Sequence, residues 1–138
     1  MSYNYAVLLL GSNIGDQKKN LEIALQELTK NDIHIISESE FLYSEPVEFV
    51  SSKIFCNIAI RIEVNLSPIQ LLNFLKNIER KMGRTVDSGG TREYTDRSID
   101  IDIITYNNIA FSSKRLEIPH SRHLYEREFS RILLESLK

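Results

Sequence analysis

The chain has 138 residues, enough to bury one hydrophobic core unaided, and its single cysteine excludes an internal disulfide and a cysteine metal cluster. With 17 Lys and Arg against 19 Asp and Glu the net charge is -2, so there is no broad basic field for nucleic acid, and any phosphate recognition must be local. No segment is long and apolar enough for a membrane span or a signal-peptide core, so one cytoplasmic domain over residues 1–138 is expected.

Tyr3 to Leu10 is an apolar run closing on Gly11-Ser12-Asn13, which reads as a buried strand entering a tight turn. Leu21, Ala24, Leu25 and Leu28 recur at helical spacing and predict a helix over Asp16 to Thr29, with Asp16 as N-cap. Ile33 to Tyr43 and Lys53 to Val64 read as strands, and in the second Phe55, Asn57, Ala59, Arg61 and Glu63 share one face. Cys56, beside Phe55, reads as a small buried hydrophobe rather than a nucleophile. Ser67-Pro68 opens a second helix whose inner stripe is Leu71, Leu72, Leu75, Ile78 and Met82, and Gly83 ends it.

Thr85 to Thr95 carries charges, adjacent glycines and no periodicity, the signature of a loop. A fourth strand spans Ser98 to Tyr106, and Asn107-Asn108 turns into a short hairpin arm, Ile109 to Phe111, that returns through Arg115 to Pro119. Ser121 to Leu137 is a last helix. Strand, helix, strand, strand, helix, strand predicts an α+β fold: a ferredoxin-like βαββαβ antiparallel sheet with helices on one face, plus a C-terminal hairpin arm and helix.

The most informative stretch is Arg97-Ser98-Ile99-Asp100-Ile101-Asp102-Ile103-Ile104. Its alternation puts Asp100 and Asp102 on one face of a strand, roughly 6.5 Å apart along the chain. That span lets both carboxylates converge on one or two Mg2+ ions, about 3.5–4 Å apart when paired, and carboxylate oxygen is the protein ligand Mg2+ prefers. A D-x-D pair is also common on a plain solvent face, but aspartate is disfavoured in strands and two on one face repel. Arg84, Arg92, Arg97, Arg115, His120, Arg122, His123 and Arg127 cluster in the segments around this strand. Singly each reads as a solvated charge; together beside the carboxylates they suggest a polyphosphate held by metal on one side and arginine on the other. Gly11 to Asp16 matches neither the P-loop pattern nor G-x-G-x-x-G and by itself reads as a turn.

Leu10-Gly11-Ser12-Asn13-Ile14-Gly15-Asp16, Tyr43-Ser44-Glu45-Pro46-Val47, Phe55-Cys56-Asn57, Ile78-Glu79-Arg80-Lys81-Met82-Gly83-Arg84, Arg97-Ser98-Ile99-Asp100-Ile101-Asp102 and Ile118-Pro119-His120 occur in this order. From Ala6 to about Phe129 the chain thereby resembles the 6-hydroxymethyl-7,8-dihydropterin pyrophosphokinases of folate biosynthesis. The resemblance implies transfer of the β,γ-diphosphate of ATP to the pterin hydroxymethyl group, releasing AMP. By the same resemblance, Asp100 and Asp102 would hold two Mg2+ ions, with Arg97 and Arg92 beside them as catalytic residues. Lys76, Glu79, Arg84, Tyr94, Arg97, Arg115, His120 and Arg127 would bind ATP. Phe55 and Phe129 would sandwich the pterin, Asn57 would hydrogen-bond its edge, and Ser44, Pro46 and Val47 would complete the pocket. The loop before Tyr94 would close over ATP as a lid. Partners would be ATP and the pterin alone, with no nucleic acid, no membrane and a monomeric chain.

This assignment suits the chemistry, since a flat heterocycle needs aromatic faces and polar edges, whereas diphosphoryl transfer needs cations in line. Without the resemblance, Phe55 and Phe129 would read as core packing. The chain departs from the family where Tyr94, Thr95 and Asp96 replace the usual tryptophan, small residue and proline, and where Glu48 replaces a common glycine. Two other readings are open at this level. A non-catalytic ferredoxin-like ligand-binding domain would not need the carboxylates and arginines to converge, and a metal-dependent phosphodiesterase or nuclease would want a wider basic surface.

Overall fold

The chain is described by a computed structural model over residues 3–44, 54–83, 99–121 and 128–137, leaving aside the side chains at 44, 128 and 129. The central strand β1 (Asn4–Ser12) pairs antiparallel with β4 (Phe55–Val64) on one side and β5 (Asp100–Tyr106) on the other. β2 (His34–Glu38) and β3 (Leu42–Ser44) follow one another along the far edge of β4, also antiparallel, giving the order β2-β4-β1-β5. This is the ferredoxin-like sheet the element order predicts.

Helices α1 (Gln17–Lys30) and α2 (Pro68–Lys81) cover one face. Each starts where its sequence says it should. The Asp16 carboxylate accepts from Lys19 N–H at 3.2 Å, and Ser67 with Gln70 forms a reciprocal capping box ahead of Pro68. Leu21, Ala24 and Leu28 of α1 and Leu71, Leu72, Leu75 and Ile78 of α2 pack on Leu8, Leu10, Cys56, Ile58, Ile60, Ile62, Ile101 and Ile103. Each large aliphatic side chain so enclosed contributes about 1.5–3 kcal/mol.

Among the described residues, the opposite face is covered in part. There α3 (Glu128–Ser136) lies on the sheet, with Leu133 and the following Leu137 against Leu9, Ala59 and Ile104. A register shift between Val7 and Leu8 bulges β5, so Ile103 and Tyr106 both face the helices while Ile104 turns to α3. β6 (Phe111–Ser112) and β7 (Glu117–Ile118) form the predicted arm, and β7 runs beside β5. No helix among the described residues is long and apolar enough to cross a membrane.

Two boundaries differ from the sequence reading. The strand expected over Ile33 to Tyr43 is two strands. Ser39 sits at the break, where its N–H donates to the Ala59 carbonyl at 2.8 Å and its hydroxyl accepts from Ala59 N–H at 2.9 Å, so a side chain stands in for part of the ladder. The turn expected at Gly11 begins later. Gly11 and Ser12 continue β1, paired with Asn57 and Cys56, and the chain turns only after Asn13, at Gly15 with φ 65°.

Candidate active site

Asp100 and Asp102 open β5, half-buried, and by alternation share with Ile104, which packs against α3, the face away from α1 and α2. Across the sheet, Asp102 stands opposite Leu9 and Asp100 opposite Gly11, and Gly11 in turn stands opposite Asn57. The row Asp100, Gly11, Asn57, Leu42 therefore crosses four strands on one face. Strands are about 4.8 Å apart, so the Asp100 and Asn57 backbones are separated by roughly 10 Å.

Asn57 is only 4% exposed, and its Nδ2 donates to the Leu42 carbonyl at 3.3 Å. Its Oδ1 points back over Gly11, 2.8 Å from where a Cβ on that residue would be. Phe55, half-buried, lies two residues away on the same face with its ring edge 3.3 Å from that same point. Polar groups shore the loop below. Asn20 Nδ2 donates to Ser12 Oγ at 3.1 Å and to the Ile14 carbonyl at 2.9 Å, and Gln17 donates to the Ile54 carbonyl. Cys56 points the other way, into the helix-covered core, where burial pushes its thiol pKa up and keeps it protonated, as expected of a packing residue.

The outer edge of β5 carries a different set. Glu79 of α2 is 1% exposed and its Oε2 accepts from Ile101 N–H, the amide between the two aspartates, at 2.7 Å. Lys76 Nζ lies 3.4 Å from the other carboxylate oxygen. One turn earlier on the same side of α2, Asn73 accepts from Arg115 at 2.6 Å, and His120 N–H donates to the Ile104 carbonyl at 2.9 Å. Lys76, Glu79, Arg115 and His120 thus gather along one flank of the carboxylate strand, and Glu79 is a buried tether of β5 rather than a side chain open to solvent.

Arg84, Arg92, Tyr94, Arg97, Arg127, Pro46 and Val47 lie outside the described residues. Ser44 closes β3 opposite Phe55, and Phe129 falls in the first turn of α3, both located by backbone alone. The position that sequence reasoning passed over is Gly11. Its signal was a glycine followed by two polar residues, Ser12 and Asn13, that turn out fully buried at the end of an apolar run.

The donor set fits Mg2+. Two half-buried carboxylates on one strand face are oxygen donors of the kind this ion takes from a protein, alongside the water and phosphate oxygens it keeps.

A model of 7,8-dihydro-6-hydroxymethylpterin-pyrophosphokinase (HPPK) matches residues 7–138. The chain belongs to this family. It is 36% identical over 131 residues to a 2-amino-4-hydroxy-6-hydroxymethyldihydropteridine pyrophosphokinase of Porphyromonas gingivalis, a match covering 94% of this chain and 88% of that protein. The Haemophilus influenzae protein of the same name is 33% identical over 125 residues, covering 90% of this chain and 75% of its own length. A mitochondrial folate synthesis bifunctional protein of Pisum sativum is 39% identical over 123 residues, 89% of this chain but 23% of that protein. The chain therefore spans about a quarter of the plant bifunctional relatives. In fold, it superposes on a Plasmodium falciparum HPPK-DHPS crystal structure with a TM-score of 0.69 at 15% identity, over 99% of this chain and 38% of that one.

Proposed function

We propose that this chain transfers the β,γ-diphosphate of ATP to the hydroxymethyl group of 6-hydroxymethyl-7,8-dihydropterin, giving AMP and the pterin diphosphate, a step of folate biosynthesis. Family membership supports the reading, and the observation that carries it is the row from Asp100 through Gly11 to Asn57. On one side of the carboxylates lie an aromatic ring and an amide, on the other a flank of Lys76, Arg115 and His120. A heterocycle with a primary hydroxyl and a polyphosphate nucleotide are the partners such an arrangement suits.

In this reading Phe55 covers one pterin face, Phe129 the other, and Asn57, Ser44, Pro46 and Val47 hold its edge. The hydroxymethyl oxygen then points along the sheet toward Asp100 and Asp102. Its attack on the β-phosphorus forms the new P–O bond as the bond to the α,β-bridging oxygen breaks, AMP departs, and the hydroxyl proton passes to solvent. Asp100 and Asp102 are the residues that would hold two Mg2+ ions, which when bound neutralise phosphate charge and align the reacting oxygens. Lys76, Glu79, Arg84, Tyr94, Arg97, Arg115, His120 and Arg127 hold the nucleotide, Arg92 and Arg97 meet charge developing on the transferred group, and Glu79 also keeps β5 in place. Nothing larger than ATP and the pterin is needed, so a cytoplasmic monomer suffices.

The test is nucleotide analysis after mixing protein, ATP, Mg2+ and the pterin, with each left out in turn. AMP formed only in the complete mixture is expected. ADP, or AMP without pterin, would overturn the assignment, and binding of both ligands with no product would reduce the chain to a ligand-binding domain.

A further inference from the structure

Gly11 is the penultimate residue of β1, still flanked by paired strands on both sides, where a glycine weakens a strand and leaves nothing to pack. Glycine at such a position has two physical justifications, a backbone that L side chains avoid or a neighbour too close for a Cβ. The first does not hold, because Gly11 is ordinary extended strand backbone and the positive-φ glycines of the described residues are Gly15 and Gly83. The second does. A Cβ at Gly11 would meet Asn57 Oδ1 at 2.8 Å and the Phe55 ring at 3.3 Å, the first closer than real Cβ contacts come.

The nearer neighbour, Asn57, is held in place by a second contact. The Asn57 amide is pinned at its other end by the bond from Nδ2 to the Leu42 carbonyl, at 3.3 Å, so it lies flat across the sheet between β3 and β1. Turning Oδ1 away from position 11 swings Nδ2 off Leu42. Gly11 also stands opposite Asp100 on its other side, so the amide, the ring and a carboxylate strand position all border this one residue's backbone.

We infer that Gly11 is a specificity-determining position: its missing side chain is the notch that lets Asn57 lie flat and Phe55 lean in, and so fixes the orientation of the pterin whose hydroxyl must reach the carboxylates. This rests on the pterin-site reading above. Gly11 touches no reacting atom in this account; it acts through Asn57 and Phe55, as a positioning residue.

The experiment compares wild type, Gly11→Ala, Asn57→Ala and the double variant. Binding of fluorescent 6-hydroxymethylpterin and of α,β-methylene ATP is measured separately with Mg2+, and the Asn57 side-chain NH2 resonances are followed by 15N NMR. Gly11→Ala is expected to shift those resonances and weaken pterin binding about tenfold or more, the equivalent of one misplaced hydrogen-bonding group, while nucleotide affinity stays within about twofold. With Asn57 already Ala the same substitution should cost far less, since the blocking amide is gone. Unchanged pterin affinity, equal losses for both ligands, or additive effects in the double variant would overturn the inference. If Gly11→Ala fails to fold, recovery of the fold in the Asn57→Ala background supports the clash and no recovery refutes it. A wild-type protein that binds no pterin would sink the functional reading alone, and the Asn57 resonances would still decide whether Gly11 sets that amide.

Discussion

Along β4, Cys56, Ile58, Ile60, Ile62 and Val64 face the helices and are closed to solvent, whereas Phe55, Asn57, Ala59, Arg61 and Glu63 face the other way, where, among the described residues, Ala59 packs with Leu133 and Leu137. One strand thus serves two regions with opposite requirements. The helix-covered face needs volume and apolarity, so many aliphatic residues would satisfy it. In the proposed reaction the open face needs particular atoms at particular places, an amide oxygen above a glycine and two carboxylates with one residue between them. If this division is right, substitutions on the two faces separate cleanly into losses of turnover and losses of stability.

The largest effect belongs to Asp102→Ala. It removes a half-buried carboxylate from the open face, so the fold should survive while kcat/KM falls by about a thousandfold or more, as when a principal electrostatic contact to a transition state is lost. Circular dichroism and an AMP assay together check it. Full activity would break the division at its most important residue.

Leu75→Ala sharpens it from the opposite side. Leu75 is fully buried beneath the sheet, and truncation there should cost about 3 kcal/mol, lowering Tm by on the order of 10 °C, with kcat/KM of the folded fraction little altered. A variant that kept its Tm but lost activity would place catalytic information in the core.

Glu79 is where the two regions meet, since it reaches from α2 to the amide between the aspartates. Glu79→Ala leaves the Ile101 N–H without that acceptor in a buried position, which should cost about 2 kcal/mol of stability and lower kcat as β5 loosens. Glu79→Gln keeps an acceptor there, so it should recover most of the turnover. Equal damage from both variants would mean that the negative charge itself, not the tether, is what the site uses.

These cases also explain what the sequence could and could not disclose. Helix starts at Asp16 and Ser67, the stripe from Leu71 to Ile78, and the alternation of β4 and β5 are local in sequence, so spacing and capping chemistry revealed them. Asp100 and Asp102 were legible because aspartate within an apolar alternating strand is costly without a purpose. Gly11 was not, because the reason for its missing side chain lies 46 residues away at Asn57, on a neighbouring strand. Glu79 carried a signal only through family resemblance, and that pointed to the nucleotide. Its bond to a β5 amide depends on how α2 docks, which no local pattern encodes. The break at Ser39 escaped notice for a similar reason, since a serine hydroxyl replacing a backbone partner requires knowing which strand lies alongside.

The smallest expected effect tests whether the helix-covered side also depends on charge at its rim. Glu27 of α1 accepts from Lys81 of α2 at 2.9 Å and from Lys30 at 3.3 Å, and these hydrogen bonds hold its carboxyl below the ordinary value of 4.5. A pKa lowered by folding means the folded state binds its proton less readily than the unfolded chain. The stabilisation is therefore complete above about 4.5 and disappears as pH falls through the lower, folded value. Glu27→Gln should be slightly less stable than wild type near neutral pH, and the two Tm curves should converge on acidification, with the gap shrinking in high salt because both lysines reach into solvent. Parallel curves at all pH values would mean that the contact between α1 and α2 draws nothing from the Glu27 charge and rests on Leu21, Leu28 and their apolar neighbours.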